Sequence, residues 1–199
     1  MKRAFDAALA SVGLALSSPL WLLLALAIKL DDGGPVFYTQ ERVGKGGRIF
    51  RAVKFRSMRQ DAEAATGPLQ ARHGDARVTR VGRLMRATAM DELPQLWNIF
   101  RGDMSFVGPR ALRPGEIEIE GGGPVPLEAV PGYACRISVQ PGLTGVAQVY
   151  AARDIPRRQK FRYDALYIRR RSLYLDVRLI LMSFWISFRG TWEYRGRKY

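Results

Sequence analysis

Two adjacent carboxylates, Asp91 and Glu92, lie in a stretch otherwise dominated by arginine. Arg72, Arg77, Arg80, Arg83 and Arg86 precede them, and Arg101, Arg110 and Arg113 follow. Pro94 comes two residues later, then the run Leu96-Trp97-Asn98-Ile99-Phe100. An acid pair in a basic field suits phosphate chemistry: the cations hold an anionic substrate while a carboxylate attacks it or holds a metal ion. The same pattern arises when acids simply balance nearby arginines, since structural ion networks and reactive sites look alike. Residue types narrow the choice. His73 is the only histidine and Cys135 the only cysteine, so these 199 residues can build neither a Cys/His zinc site nor an internal disulfide. A Cys–His dyad would need those two to meet, and His73 lies in a Gly/Asp/Arg-rich stretch that reads as a loop. Cys135 reads as a small packing residue. Acid–base or metal work therefore falls to carboxylates, and oxygen ligands point to magnesium or another hard cation.

The rest of the composition agrees with an anionic partner. There are 32 basic and 18 acidic residues, a formal charge of +14. Such an excess favours nucleic acid, an anionic membrane surface or a phosphorylated substrate. The length suits one domain with an appendage, and 47% hydrophobic residues suffice for a core.

The appendage is at the amino terminus. No charge occurs between Asp6 and Lys29, and the segment is rich in Leu and Ala. A helix of that length reaches about 30 Å, the thickness of a bilayer's hydrocarbon core. Leu30-Asp31-Asp32-Gly33 is a poor signal-peptide cleavage site. Lys2 and Arg3 precede the segment and a basic body follows it, so the positive-inside rule places both flanks in the cytoplasm. Ser17-Ser18-Pro19 reconciles these demands. Proline removes one backbone hydrogen bond, and the serine hydroxyls can bond the freed carbonyls. A straight span is possible by length; the segment is expected instead to break at Ser18-Pro19 and re-enter on the same face.

Elements that could position the acid pair follow. Val36-Phe37-Tyr38-Thr39 reads as a strand, and Val43-Gly44-Lys45-Gly46-Gly47 as a hairpin turn into a second strand within 48–58. The glycines lack P-loop spacing. Seven cations between Arg42 and Arg59, with no acid among them but Glu41 just before, suit lipid headgroups or phosphates. Residues 60–76 read as a helix start and a polar loop, and Val78–Ala89 as a helix. Asp91 is placed to cap the next helix, with Leu93, Leu96 and Phe100 on one face and Gly102-Asp103 at its end. Val107-Gly108-Pro109-Arg110 is a tight turn presenting an arginine. Residues 116–126 read as an exposed excursion. A turn at 140–145 leads into a strand at Val146–Tyr150. Residues 157–171 form a basic helix carrying Asp164. Val177–Phe188 is too short to span a bilayer and reads as core or an interfacial helix. Trp185, Trp192 and Tyr194 among Arg189, Arg195 and Lys198 fit an interfacial belt.

Taken in order, these segments resemble the bacterial sugar transferase family, the monotopic phosphoglycosyl transferases. The resemblance is carried by Lys2-Arg3, Asp6, Ser18-Pro19, Gly34-Pro35-Val36-Phe37, Gln40-Glu41-Arg42-Val43-Gly44, Phe50 and Lys54-Phe55-Arg56-Ser57-Met58. It continues through Thr79, Gly82, Arg86, Asp91-Glu92-Leu93-Pro94-Gln95-Leu96, Asn98 and Gly102-Asp103-Met104-Ser105. Val107-Gly108-Pro109-Arg110, Pro141-Gly142-Leu143-Thr144-Gly145, Asp164 and Tyr167 complete it. Two departures stand out. Ala111 stands where the family commonly has proline, and Gln140 where a basic residue is common. Extra membrane helices of larger members are absent, so the chain resembles the small form.

The resemblance implies an α+β fold in two parts. Residues 1–30 would be the re-entrant membrane helix, and 31–199 a cytoplasmic catalytic domain, helix-rich with short strands and interfacial helices. It implies transfer of a phospho-sugar from a nucleotide diphosphate sugar, expected to be a UDP-sugar, to polyprenol phosphate. Asp91 would attack and carry a covalent phospho-sugar, Glu92 would assist, and Mg2+ would be required, with Asp91 as a ligand. This would be the first membrane step of bacterial glycan assembly, such as exopolysaccharide, at the cytoplasmic face of the inner membrane. The residue chemistry adds Lys54, Arg56, Arg86 and Arg110 as phosphate contacts, since guanidinium forks match phosphate oxygens. Asp164 is assigned either to positioning or metal support or to a surface ion pair. Anionic lipids are expected partners, nucleic acid is not, and monomer and homodimer both remain open. The alternative is a membrane-anchored basic module that binds anionic lipid or nucleic acid without catalysis. It leaves unexplained an acid pair that would repel a nucleic-acid backbone.

Overall fold

The computed structural model describes residues 1–62, 75–120, 123–152 and 155–192. His73, Arg72, Tyr194, Arg195, Lys198 and most of the loop expected at 60–76 lie outside these residues. The apolar segment forms α1 (Lys2–Asp32), 31 residues with Pro19 inside. Where a break was expected, the helix is continuous. The missing proline N–H leaves the Ala15 carbonyl free, and Ser18 Oγ donates to that carbonyl at 2.8 Å. Ser17 Oγ accepts from Trp21 Nε1 at 3.0 Å. The serine thus replaces the bond that proline removes.

Both ends of α1 are tied to the rest of the molecule. Lys2 Nζ reaches Asp176 Oδ2 at 2.6 Å, and Asp6 Oδ1 accepts from the Phe106 amide at 3.2 Å. Arg3 donates to the carbonyls of Ile99 and Phe100. At the far end, Asp31 Oδ2 accepts from the Val81 amide at 2.9 Å and Asp32 pairs with Arg56. Ala10, Leu24 and Ile28 are buried, while Val12, Leu16, Leu22, Leu23, Leu26 and Leu30 stay exposed.

An antiparallel hairpin follows, β1 (Phe37–Val43) and β2 (Ile49–Phe55), in register from Phe37 opposite Phe55 to Val43 opposite Ile49. Next come α2 (Arg80–Thr88) and α3 (Gln95–Arg101). Thr79 caps α2, its side chain accepting from the Gly82 amide at 2.9 Å. A Cβ at Gly82 would collide with the Ser57 carbonyl, so glycine lets α2 sit directly on the chain leaving β2. Buried Asn98 ties α3 to β2: its Oδ1 accepts from the Val53 amide at 3.0 Å and its Nδ2 donates to the Arg51 carbonyl at 2.8 Å. This satisfies an otherwise unpaired strand edge.

The remaining elements are β3 (Ser105–Val107), β4 (Ile117–Glu120), β5 (Gly123–Pro126), α4 (Tyr133–Ile137), β6 (Gly142–Thr144), α5 (Val146–Tyr150), α6 (Arg157–Arg170) and α7 (Leu173–Phe188). β3 pairs with β6 in parallel, and β4 with β5 antiparallel. The mixed helix and strand content matches the expected class. Several details differ. Val146–Tyr150 is a helix and not a strand, because Val146 and Val149, one turn apart, both point into the core. Within the excursion expected at 116–126, β4 and β5 pair as strands, clamped through Glu116 and Glu118 by Arg157 of α6. On α3 the inward face holds Leu96 and Ile99, while Phe100 is exposed and stacks on Trp97. The main core gathers Phe50, Ala52, Leu96, Ile99, Met104, Val107, Val149, Tyr167, Leu179 and Ile186, with Ala10 of α1. α7 buries Leu179, Ile180 and Ile186 but exposes Leu181, Phe184, Trp185 and Phe188, so it is core on one face and bare apolar surface on the other.

Candidate active site

The helix α2 stops at Ala89, which takes a left-handed conformation (φ 58°) and is the one non-glycine residue with positive φ among the described residues. That reversal leads into a short 3-10 turn, Met90–Glu92, which holds the acid pair. Asp91 does not cap α3 as its spacing suggests. The residue before that helix is Pro94, and no side chain caps its start.

Three elements converge on the pair. Glu92 Oε1 receives Lys54 Nζ from β2 and Arg110 Nη2 from the turn after β3, the latter at 2.9 Å. Asn98 fixes β2 against α3 and so sets where Lys54 reaches. Asp91 is only 7% exposed, and among the described residues no donor meets its carboxylate. The two acids therefore sit in different environments. Burial pushes the Asp91 carboxyl up to about 6 against the pull of Lys54, and the charge of Glu92 adds to the rise. Burial would raise Glu92 too, but Arg110 and Lys54 override it and hold that carboxyl well below the usual range. Lys54 is pulled down by burial, against the attraction of Glu92.

This asymmetry has a measurable consequence. Asp91 binds its proton more tightly folded than unfolded. Its contribution to stability is present below the unfolded value of about 3.9 and is lost as pH rises through about 6. With divalent ions chelated, Asp91→Asn is expected to melt above wild type at pH 8, and the gap should shrink as pH falls to 5. A gap independent of pH in thermal unfolding would contradict this assignment.

The other candidates divide. Arg86 lies close enough for its charge to draw Asp91 down. Arg56 is engaged elsewhere: buried, it pairs with Asp32 and donates from Nε to the Pro35 carbonyl at 2.7 Å. It straps the end of α1 to β2, a structural task that its expected role as a phosphate contact did not anticipate. Asp164 is buried and lies 3.1 Å from Arg136, whose guanidinium in turn donates to the Arg110 carbonyl at 2.8 Å. Asp164 is therefore a buried pair and not a surface one, linked to Glu92 through Arg136 and Arg110. Gln140 donates to the Gly102 carbonyl at 2.6 Å, satisfying the end of α3. Sequence reasoning read Arg42 only as one of seven cations suited to headgroups or phosphates, and gave no role to Arg136, Asp32 or Asp176. Nothing in their local pattern separates them from the many other charged residues.

Among the described residues, no group of three or more Asp, Glu, His or Cys side chains could hold a metal alone. Glu92 is already neutralised by two cations, whereas among the described residues no donor meets the Asp91 carboxylate. Magnesium commonly takes one or two carboxylates and completes its shell with substrate phosphates and water. The donor set fits such a shared ion, with Asp91 as the protein ligand, and does not fit an all-protein cage.

Comparison with known proteins adds a family context. The family described as "Bacterial sugar transferase" matches residues 1–190. A Komagataeibacter xylinus protein named "Undecaprenyl-phosphate glucose phosphotransferase" is 43% identical over 189 residues, which cover 92% of this chain and 35% of its own length. An Aeromonas hydrophila protein named "UDP-N-acetylgalactosamine-undecaprenyl-phosphate N-acetylgalactosaminephosphotransferase" is 43% identical over 186 residues, 92% of this chain and 42% of its own. The "Exopolysaccharide production protein PSS" of Rhizobium leguminosarum bv. phaseoli is 40% identical over 185 residues, covering 90% of this chain and 91% of its own. The chain thus spans 35% and 42% of the first two relatives.

Proposed function

This chain belongs to the bacterial sugar transferase family, and on that premise we propose that it transfers a phospho-sugar from a UDP-sugar to polyprenol phosphate. The observation that carries this reading is the buried Asp91, met by no donor among the described residues, beside a Glu92 held by Lys54 and Arg110. An Asp91 carboxylate oxygen attacks the sugar-linked phosphorus. The bond from that phosphorus to the bridging oxygen breaks, and the nucleoside monophosphate leaves with the electron pair. An oxygen of the lipid phosphate then attacks the same phosphorus, the bond to Asp91 breaks, and the carboxylate is regenerated. Lys54 and Arg110 offset the negative charge that both displacements bring together, and Glu92 holds those two cations in place before substrate arrives. A magnesium ion bound by Asp91 and the diphosphate would supply further charge neutralisation. Relatives named for glucose and for N-acetylgalactosamine transfer leave the sugar to a screen of UDP-sugars for UMP release. If no sugar gave UMP with a folded chain in a polyprenol-phosphate membrane, the non-catalytic basic module would take this reading's place.

The lipid substrate requires the site to lie at a membrane surface. α1 is apolar enough to cross a bilayer, yet its two ends are bound to one body through Lys2–Asp176 and Asp32–Arg56. A straight span would put those ends on opposite sides. The same-side attachment supports a helix that, although continuous through Pro19, dips into the bilayer and keeps both ends at the cytoplasmic face of the inner membrane, presenting Leu16, Leu22, Leu23 and Leu26 to lipid, with the bare face of α7 at the same interface. Cysteines placed at positions 2 and 30, in a chain whose Cys135 is replaced by serine, are expected to label from the cytoplasmic side only. Labelling of one end from outside would show a span.

A further inference from the structure

Four successive carbonyls, from Pro109 to Leu112, each meet a donor from another element. Pro109 O accepts from the Gly142 amide at 2.8 Å, and Leu112 O from the Val43 amide at 2.8 Å. Between them, Arg110 O accepts from Arg136 Nη2 at 2.8 Å, and Ala111 O from Arg42 Nη1 at 3.0 Å. Backbone amides or water could satisfy carbonyls without placing charge in the interior. Guanidiniums there are costly, and the cost suggests a task beyond hydrogen-bond satisfaction.

Arg136 is built for one orientation. It is 6% exposed, its Nε and Nη2 both lie 3.1 Å from Asp164 Oδ2, and its guanidinium carbon sits 4.5 Å from the centre of the Phe161 ring. Phe161 and Asp164 are one turn apart on α6, so a single helix fixes both the plane and the counter-charge. Arg42, partly buried at the end of β1, is steadied by the side chain of Gln40. The residue whose backbone these two arginines flank is Arg110, and Arg110 reaches Glu92.

We infer that Arg136 and Arg42 are positioning residues: they clamp the Arg110 and Ala111 carbonyls, and so aim the Arg110 guanidinium at Glu92 and the diphosphate bound there. This rests on the phosphoglycosyl transfer reading for its consequence, but not for the clamp itself. Asp164 acts in the same chain, by orienting Arg136. Its link to the reaction runs through Arg136 and the Arg110 backbone.

The test is a double-mutant cycle on the full chain in lipid nanodiscs. Arg136→Lys keeps the charge but loses the fork that spans Asp164 and the Arg110 carbonyl. In the wild-type background it is expected to slow phospho-sugar adduct formation about tenfold, since small misplacements of a phosphate ligand are costly. In an Arg110→Ala background the same change should cost less than about twofold, because its target is gone. Equal losses in both backgrounds would overturn the proposal, since a general structural role acts regardless of Arg110. A second arm needs no catalysis. Amide exchange of the peptide covering 105–113 should speed up in Arg136→Lys, and unchanged protection would also overturn the clamp. If Arg136→Lys fails to fold, Arg42→Gln, at a less buried position, carries the same cycle and exchange measurement. If wild type forms no adduct with any UDP-sugar, the enzymatic reading fails, and the exchange arm alone decides the clamp.

Discussion

Asp91→Asn is expected to reduce UMP release by a factor on the order of 10^4 or more, while the chain stays folded and membrane-bound. Asparagine has nearly the same shape and fits the same buried site. Its amide cannot displace a phosphate, so the first bond-forming step has no nucleophile. The uncharged side chain also escapes the burial that penalises the ionised carboxylate, so the loss of rate should accompany no loss of stability. This opposition separates a chemical role from a structural one. An acid that merely balanced arginines would lose stability on neutralisation and keep turnover.

Glu92→Gln is expected to give the second-largest effect, a loss of about 10²-fold in kcat/KM, of the size seen when a charge-stabilising contact is removed. It should also lower stability by roughly 1–3 kcal/mol, because Lys54 would keep a largely buried charge without its partner. The half-exposed Arg110 should suffer less, since solvent screens it. Steady-state UMP release and denaturant unfolding measure the two parts. A Glu92→Gln chain with full turnover would show that Glu92 has no part in holding the cations for the reaction.

The acid pair was legible because it broke the local charge pattern and because one histidine and one cysteine left few other chemistries. The apolar helix was legible from its run of uncharged residues, and the role of Ser18 followed from what proline removes. The hairpin β1–β2 and the helices α2, α6 and α7 were also read close to where they lie. What was not legible depended on distant partners. Arg56 meets Asp32, 24 residues away, and Arg136 meets Asp164, 28 residues away. In a chain with 32 basic residues, local sequence cannot say which arginine is buried against which acid. Val146–Tyr150 carries valines and a tyrosine that favour strands, yet packing of Val146 and Val149 into the core makes it helical. The excursion at 116–126 hid a strand pair, β4 and β5, because its anchor, Arg157, lies about 40 residues on.

The most direct measurement is the intact mass of the purified chain in nanodiscs after incubation with magnesium and its UDP-sugar, without polyprenol phosphate. A covalent aspartyl intermediate predicts a mass increase of one phospho-sugar on wild type, mapped by peptide analysis to Asp91, absent from Asp91→Asn, and discharged when polyprenol phosphate is added. An adduct that persisted on Asp91→Asn, or UMP release at full rate from that variant, would contradict the account.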